Sequence, residues 1–243
     1  MTTRPVALPR SYSSPAAFLR QYFYFCMSLL IAVVVVYGFS HTIGHNLLHA
    51  SPIPPFVLTI HAIVFPGWVL FFILQSALVR TRNVPLHRTL GWFGLALGIG
   101  VLVLGYLTAT AMDRFFLQQH PDPHGAAFLI VQLMDLASFG VPFAFAIYWR
   151  RRPEFHRRLM LIASCGLTDA AFGRFPLLPL AFSPGGVDAL ILLGILRDLI
   201  VDRRIHKVYL YAFPLLILFQ IFCMQTYLHA SAWWMHIATA LLR

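Results

Sequence analysis

Long apolar runs alternate with short polar turns along almost the whole chain. A membrane-crossing helix needs roughly 20 apolar residues to traverse about 30 Å of hydrocarbon. Seven stretches meet that requirement: 21–40 (prolonged as far as His49 if the helix persists), 56–79, 86–112, 126–149, 155–175, 187–201 and 206–228. The sixth is the shortest. Residues 1–20 are polar and contain Pro, Ser and Arg, which predicts a flexible cytoplasmic lead-in. Residues 21–230 form the expected seven-helix domain. Residues 231–243 predict a short interfacial helix, with Trp233 and Trp234 at headgroup level. The expected fold class is therefore all-α, a polytopic membrane helix bundle.

Composition supports lipid as the main solvent. Hydrophobic residues make up 59% of the chain and charged ones 11%, less than half of the roughly 25% usual in soluble domains. The formal charge of +10 would suggest nucleic acid in a soluble protein. Here it reports topology, and a single Lys among the basic residues argues against a nucleic-acid patch.

Alternate turns carry nearly all of that charge. One side of the bundle collects Arg4, Arg10, Arg20, Arg80, Arg82, Arg88, Arg150, Arg151, Arg152, Arg157, Arg158, Arg197, Arg203, Arg204 and Lys207. The other side holds only Arg114, Arg174 and Arg243. By the positive-inside rule the N-terminus is cytoplasmic and the C-terminus outside. Adding or dropping one span would scramble the split. The leading segment lacks an apolar stretch ending in a small-residue cleavage site, so no removable signal peptide is expected. Cys26, Cys165 and Cys223 lie in apolar runs without paired spacing and read as small hydrophobes.

The three later cytoplasmic turns, VRTRNVPLHRTL, WRRRPEFHRRLM and VDRRIHKVYL, each end in His followed by Arg or Lys. This suggests three related hairpins after a lone first helix. Their histidines, His87, His156 and His206, suit contact with anionic headgroups or helix capping. Haem ligation from the inner side is an alternative.

The outer side has a different chemistry. In SHTIGHNLLHA, His41, His45 and His49 recur every four residues, and His61 follows on the next helix. A continued helix would stack the first three on one face. An antiparallel hairpin would bring His61 to the depth of His41. Neutral imidazoles suit zinc, copper, nickel and iron, or an axial haem position. His120, His124, His229 and His236 read instead as interfacial. Ionisable residues inside a span are functional candidates because burying them is costly. Asp135 and Asp169 meet that description. Arg174 is placed to pair with Asp169, while Asp135 needs a partner from another helix or a proton. Gln75, Gln132, Gln220 and Gln225 offer interior hydrogen bonds. Gly94 and Gly98 form a G-x-x-x-G pair suited to close packing within the chain, and Pro66, Pro142 and Pro214 fall inside spans.

Phosphate-binding glycine loops and an H-E-x-x-H motif are absent from the sequence. The seventh span offers no Lys for a retinal Schiff base, since Lys207 sits at its start. There are no paired-histidine boxes of the fatty-acid desaturase kind.

From His61, the stretch HAIVFPGWVLFFILQSALVRTRNVPLHRTLGWFG resembles a group of largely uncharacterised bacterial multi-pass proteins. The pattern is carried by His61, Trp68, Gln75, His87, Arg88, Leu90 and Gly91. RPEFHRRLMLIASCGLTDAAFGRFP resembles a second block of the same group. Through HRRLM, from His156, the chain is also similar to small membrane proteins of cytochrome oxidase maturation. That likeness implies haem or copper traffic into a respiratory complex, although this chain has more outer histidines than the pattern requires.

These readings point to a bacterial inner-membrane protein, redox-linked, holding haem b or a transition metal ion. Cofactor ligands would come from His41, His45 and His61, with His49 added for a metal. Asp135, Asp169 and Arg174 would serve as proton or supporting groups. Quinone-linked electron transfer and cofactor delivery both fit, and no reaction is assigned. One alternative is an accessory subunit of a larger membrane complex. Another is a small-molecule transporter, though no inverted repeat supports it.

Overall fold

The computed structural model describes residues 15–243, and among them there is no strand. The helices are α1 (Pro15–Ser40), α2 (Phe56–Arg80), α3 (Val84–Gln119), α4 (Leu129–Tyr148), α5 (Pro153–Gly166), α6 (Asp169–Phe172), α7 (Ser183–Asp202), α8 (Lys207–Leu228) and α9 (Ala232–Leu241). Short 3₁₀ turns at Gly125–Phe128 and Leu180–Phe182 lead into α4 and α7.

Local chemistry sets several of these boundaries. The Asn83 side chain accepts the Leu86 N–H (3.3 Å) to start α3, with Pro in the first turn. Pro153 opens α5 in the same way. Just beyond α5, the Thr168 hydroxyl donates to the Cys165 carbonyl (2.6 Å), where the helix breaks before α6.

Five helical segments are long and apolar enough to cross a membrane: α1, α2, α3, α4 with its 3₁₀ lead-in, and α8. The expected fifth span is instead divided into α5 and α6. At 1.5 Å per residue the 14 residues of α5 reach only about 21 Å. The sixth stretch extends to 20 residues as α7 but contains Asp188, Arg197, Asp198 and Asp202.

α2 packs on α3, α4 on α5, and α8 on α4, while α1 lies against α2, α6 and α7. Gly94 of α3 admits the Phe71 ring of α2, and Gly98 admits Phe143 of α4. The G-x-x-x-G pair is thus used within the chain. At the centre, Trp68 is 2% exposed; it packs on Phe139 and Phe143, with its indole N–H 3.4 Å from the Ser164 hydroxyl.

Several expectations change. Residues 15–20 belong to α1, not to a flexible lead-in, and residues 1–14 of that segment lie outside the described residues. α1 stops at Ser40, and Gly44–Leu48 forms a separate π-turn closed by His49 N–H to the Gly44 carbonyl (2.8 Å). The four-residue histidine repeat therefore does not run along one continuous α-helical face. Trp233 is half exposed, but Trp234 is buried, and its indole donates to the Ala127 carbonyl (3.1 Å). Arg114 holds the Leu241 and Leu242 carbonyls at 3.0 Å each. α9 is thereby docked on the bundle. Cys165 and Cys223 are buried, whereas Cys26 is exposed on the apolar surface of α1.

Candidate functional site

Three elements bring acidic groups together in the half of the bundle away from the arginine-rich turns. Asp135 lies in the second turn of α4, and Asp169 opens α6 immediately after the break in α5–α6. The Asp135 and Asp169 carboxyl groups are close enough to interact, Ser183 lies near Asp169, and Asp188 of α7 is also within interaction range of Asp169. Oδ1 of both Asp135 and Asp169 is buried without a hydrogen-bond partner. Two carboxylates in contact repel, and the arrangement becomes attractive when one proton lies between them. The α6 helix thus supplies the partner that Asp135 lacks on its own span.

Arg174 does not form the expected ion pair with Asp169. Its guanidinium donates to the Ala170 carbonyl and lies 4.4 Å over the Phe39 ring. The chain leaves the helix at Gly173, which turns Arg174 toward α1 instead of along α6. Its charge still acts on Asp135 and on His61. His61 stacks on Phe65 at 3.8 Å, and its Nδ1 is buried without a partner. With its NH₂ turned toward α7, the Gln220 amide lies 3.2 Å from both Asp188 oxygens. Gln132 donates to Asp113 (2.9 Å) nearby on α3 and α4.

Beside this cluster is a cavity of about 690 Å³ lined by Tyr37, Phe172, Phe175, Leu178, Phe182 and Gly186, among others. Phe172 fills the space that the missing side chain of Gly186 leaves open, three residues after Asp169 in sequence. The volume lies within the roughly 300–1,000 Å³ of small-molecule sites.

The histidines expected on the outer side do not assemble into a ligand set. His41, His45 and His49 are exposed, and His41 is tied to its own helix through Nδ1 and the Tyr37 carbonyl (2.8 Å). Among the described residues, no three His, Cys, Asp or Glu side chains converge as a metal ion would require. His120, His124, His229 and His236 are exposed. On the arginine-rich side, His87 and His156 do meet, with ring centroids 6.3 Å apart, and His156 Nδ1 contacts the Ala146 carbonyl (2.9 Å). His206 packs on Phe155 instead (4.8 Å).

Sequence reasoning missed a second constellation at that end. Arg158 and Arg197, counted above as topology-setting charges, are only 1% and 2% exposed. Arg158 grips Asp198 with two nitrogens (2.7 and 2.8 Å) and reaches Glu154 (2.6 Å) and Asp202 (3.1 Å). Arg197 Nη1 joins Asp198 (2.9 Å) and Asp202 (2.5 Å). The signal was available: Asp198 and Asp202 lie one helical turn apart at the end of an apolar run. Asp188 was missed because it falls near the predicted start of a short span.

No protein-family model, curated protein or solved structure matches the chain.

Proposed function

We propose that the chain is an integral protein of a bacterial inner membrane that couples proton binding at the Asp135–Asp169 pair to the passage of a small molecule. It crosses the bilayer seven times, with α5–α6 as one broken crossing and α7 as another. Its N-terminus is cytoplasmic and its C-terminus outside. The observation that carries the function is the meeting of two carboxyl groups from separate helices inside an apolar bundle. Such a site costs stability, and it responds to a single proton. A broken helix beside it is the kind of backbone that lines paths through membrane proteins.

The first test is the shared proton. Infrared spectra of the purified protein at neutral pH should contain a protonated-carboxyl band that disappears in Asp135→Asn. In liposomes enclosing a pH-sensitive dye, a panel of small solutes should include at least one that moves protons with it, and Asp135→Asn should reduce that signal to the level of empty vesicles. A fully ionised pair, or a proton signal unchanged in the variant, would sink the proposal.

The aromatic cavity favours a second reading, quinone-linked redox chemistry, in which the same acids would exchange the quinone's protons. Quinone-dependent electron transfer, lost when Phe175→Ala opens the wall, would select it. Haem b or a metal ion would belong to this reading; His41, His45 and His61 do not converge, so His87 with His156, whose rings meet, would be its candidate ligands. A Soret band or stoichiometric metal in protein isolated without chelators would support it.

A further inference from the structure

A third acid stands beside the Asp135–Asp169 pair, with a partner of its own. Phe172 of α6 fills the notch at Gly186 of α7. That joint holds Asp169, three residues before Phe172, near Asp188, two residues beyond Gly186. Asp169 thus has an acid on either hand, Asp135 from α4 and Asp188 from α7. Asp188 is met in turn by Gln220 of α8, a residue only 4% exposed. One terminal atom of its amide lies 3.2 Å from both Asp188 oxygens.

A glutamine amide carries two N–H donors on one side and a carbonyl acceptor on the other. Turning it by half a rotation exchanges the two. With NH₂ toward Asp188, Gln220 donates to both oxygens and matches an ionised carboxylate. With the carbonyl there instead, oxygen would face oxygen unless Asp188 carries a proton and donates it. Gln220 therefore has one hydrogen-bonded orientation for each protonation state of Asp188. A lysine or arginine at that position could serve only the ionised one. A buried polar group is costly in any state that its neighbours do not match. The Arg174 charge acts on Asp135, so Asp188 depends on Gln220 for its match.

We propose that Asp188 is a third station for the proton of the Asp135–Asp169 pair, and that Gln220 turns its amide to suit either state. The O–H bond on Asp169 breaks as one forms on Asp188, and Gln220 changes from donor to acceptor. The pair is left ionised and ready to take up a new proton. This deepens the proton-coupled reading above and rests on it.

The test follows the pair's proton directly and needs no transported solute. The full chain in lipid nanodiscs is mixed rapidly with D₂O, and the protonated-carboxyl infrared band shifts as O–H becomes O–D. Asp188→Asn keeps the side-chain shape and an acceptor for Gln220. The band should remain in this variant, and its exchange should slow by at least about tenfold. Asp188→Glu restores a titrating carboxyl and should recover most of the rate. Gln220→Leu removes the amide, and Asp188 should then keep a proton of its own. A second protonated-carboxyl band should appear, and it should be missing when Gln220→Leu is combined with Asp188→Asn. Exchange indifferent to Asp188→Asn, loss of the band in that variant, or an unchanged single band in Gln220→Leu overturns the station and leaves the shared proton standing. A parent protein without a protonated-carboxyl band overturns both.

Discussion

A neutral imidazole caps α8. His206 Nδ1 accepts the Val208 N–H at 3.2 Å, so the ring proton must sit on Nε2. Burial, and then the neighbouring Arg158 charge, hold its pKa below the ordinary value of 6.5. A depressed histidine favours folding above its unfolded pKa, and that contribution is lost as pH falls through the folded value. Protonation of Nδ1 also removes the acceptor. The stability of the protein should therefore decline as pH falls below the ordinary histidine value of 6.5, with loss of the cap costing about 1 kcal/mol. His206→Asn supplies a non-titrating cap and should flatten that part of the profile. An unchanged slope would assign the acid sensitivity elsewhere. The sequence showed a His at each helix start on the arginine-rich side, but not the different uses: His206 caps, whereas His87 and His156 face one another. Those uses depend on what approaches each ring from other helices.

Single elements show where periodicity stops being informative. The run 155–175 is apolar enough to suggest one span, yet it divides after Gly166. Gly166 lies against the backbone of Ser138 on α4, and Thr168 turns its hydroxyl back on the helix. The resulting α6 crosses α1 closely enough that a side chain at Gly38 would collide with the Ala171 backbone. Gly38→Ala should then cost about 1–3 kcal/mol by forcing the two helices apart, measurable by unfolding in micelles; a neutral change would mean that the crossing can yield. The joint between α5 and α7 is ionic. Arg158→Ala leaves Asp198, at 0% exposure, without its two-nitrogen partner and should cost about 3–5 kcal/mol. The double change Arg158→Met with Asp198→Leu should recover most of the loss, because it removes both charges together. If the double variant is as unstable as the single one, the role of Arg158 lies in its other contacts.

At the scale of the whole molecule, orientation gives the sharpest test. In a background lacking native cysteines, Leu177→Cys should react with a membrane-impermeant maleimide from outside intact cells. Arg151→Cys should react only after the membrane is opened. Both positions are exposed, Leu177 at 97%, so reactivity reports the side and not burial. Reaction of both positions from one side would contradict the alternation of turns.

Hydrophobic runs and arginine placement are properties of the chain itself, because the bilayer selects for length, apolarity and loop charge before any helix meets another. They suffice for the helical class, the positions of the main helices and the expected orientation. Asp135 was also legible, since an acid inside an apolar run stands out. Its pairing with Asp169 was not, nor was the departure of Arg174, nor the burial of Arg158 and Arg197. Those follow from which helix faces which, and from a break between α5 and α6 that periodicity did not mark. His41, His45 and His49 show the reverse: their spacing was plain in the sequence, but the end of α1 at Ser40 left them on separate turns. Partners between helices are a matter of packing, and only the folded bundle decides them.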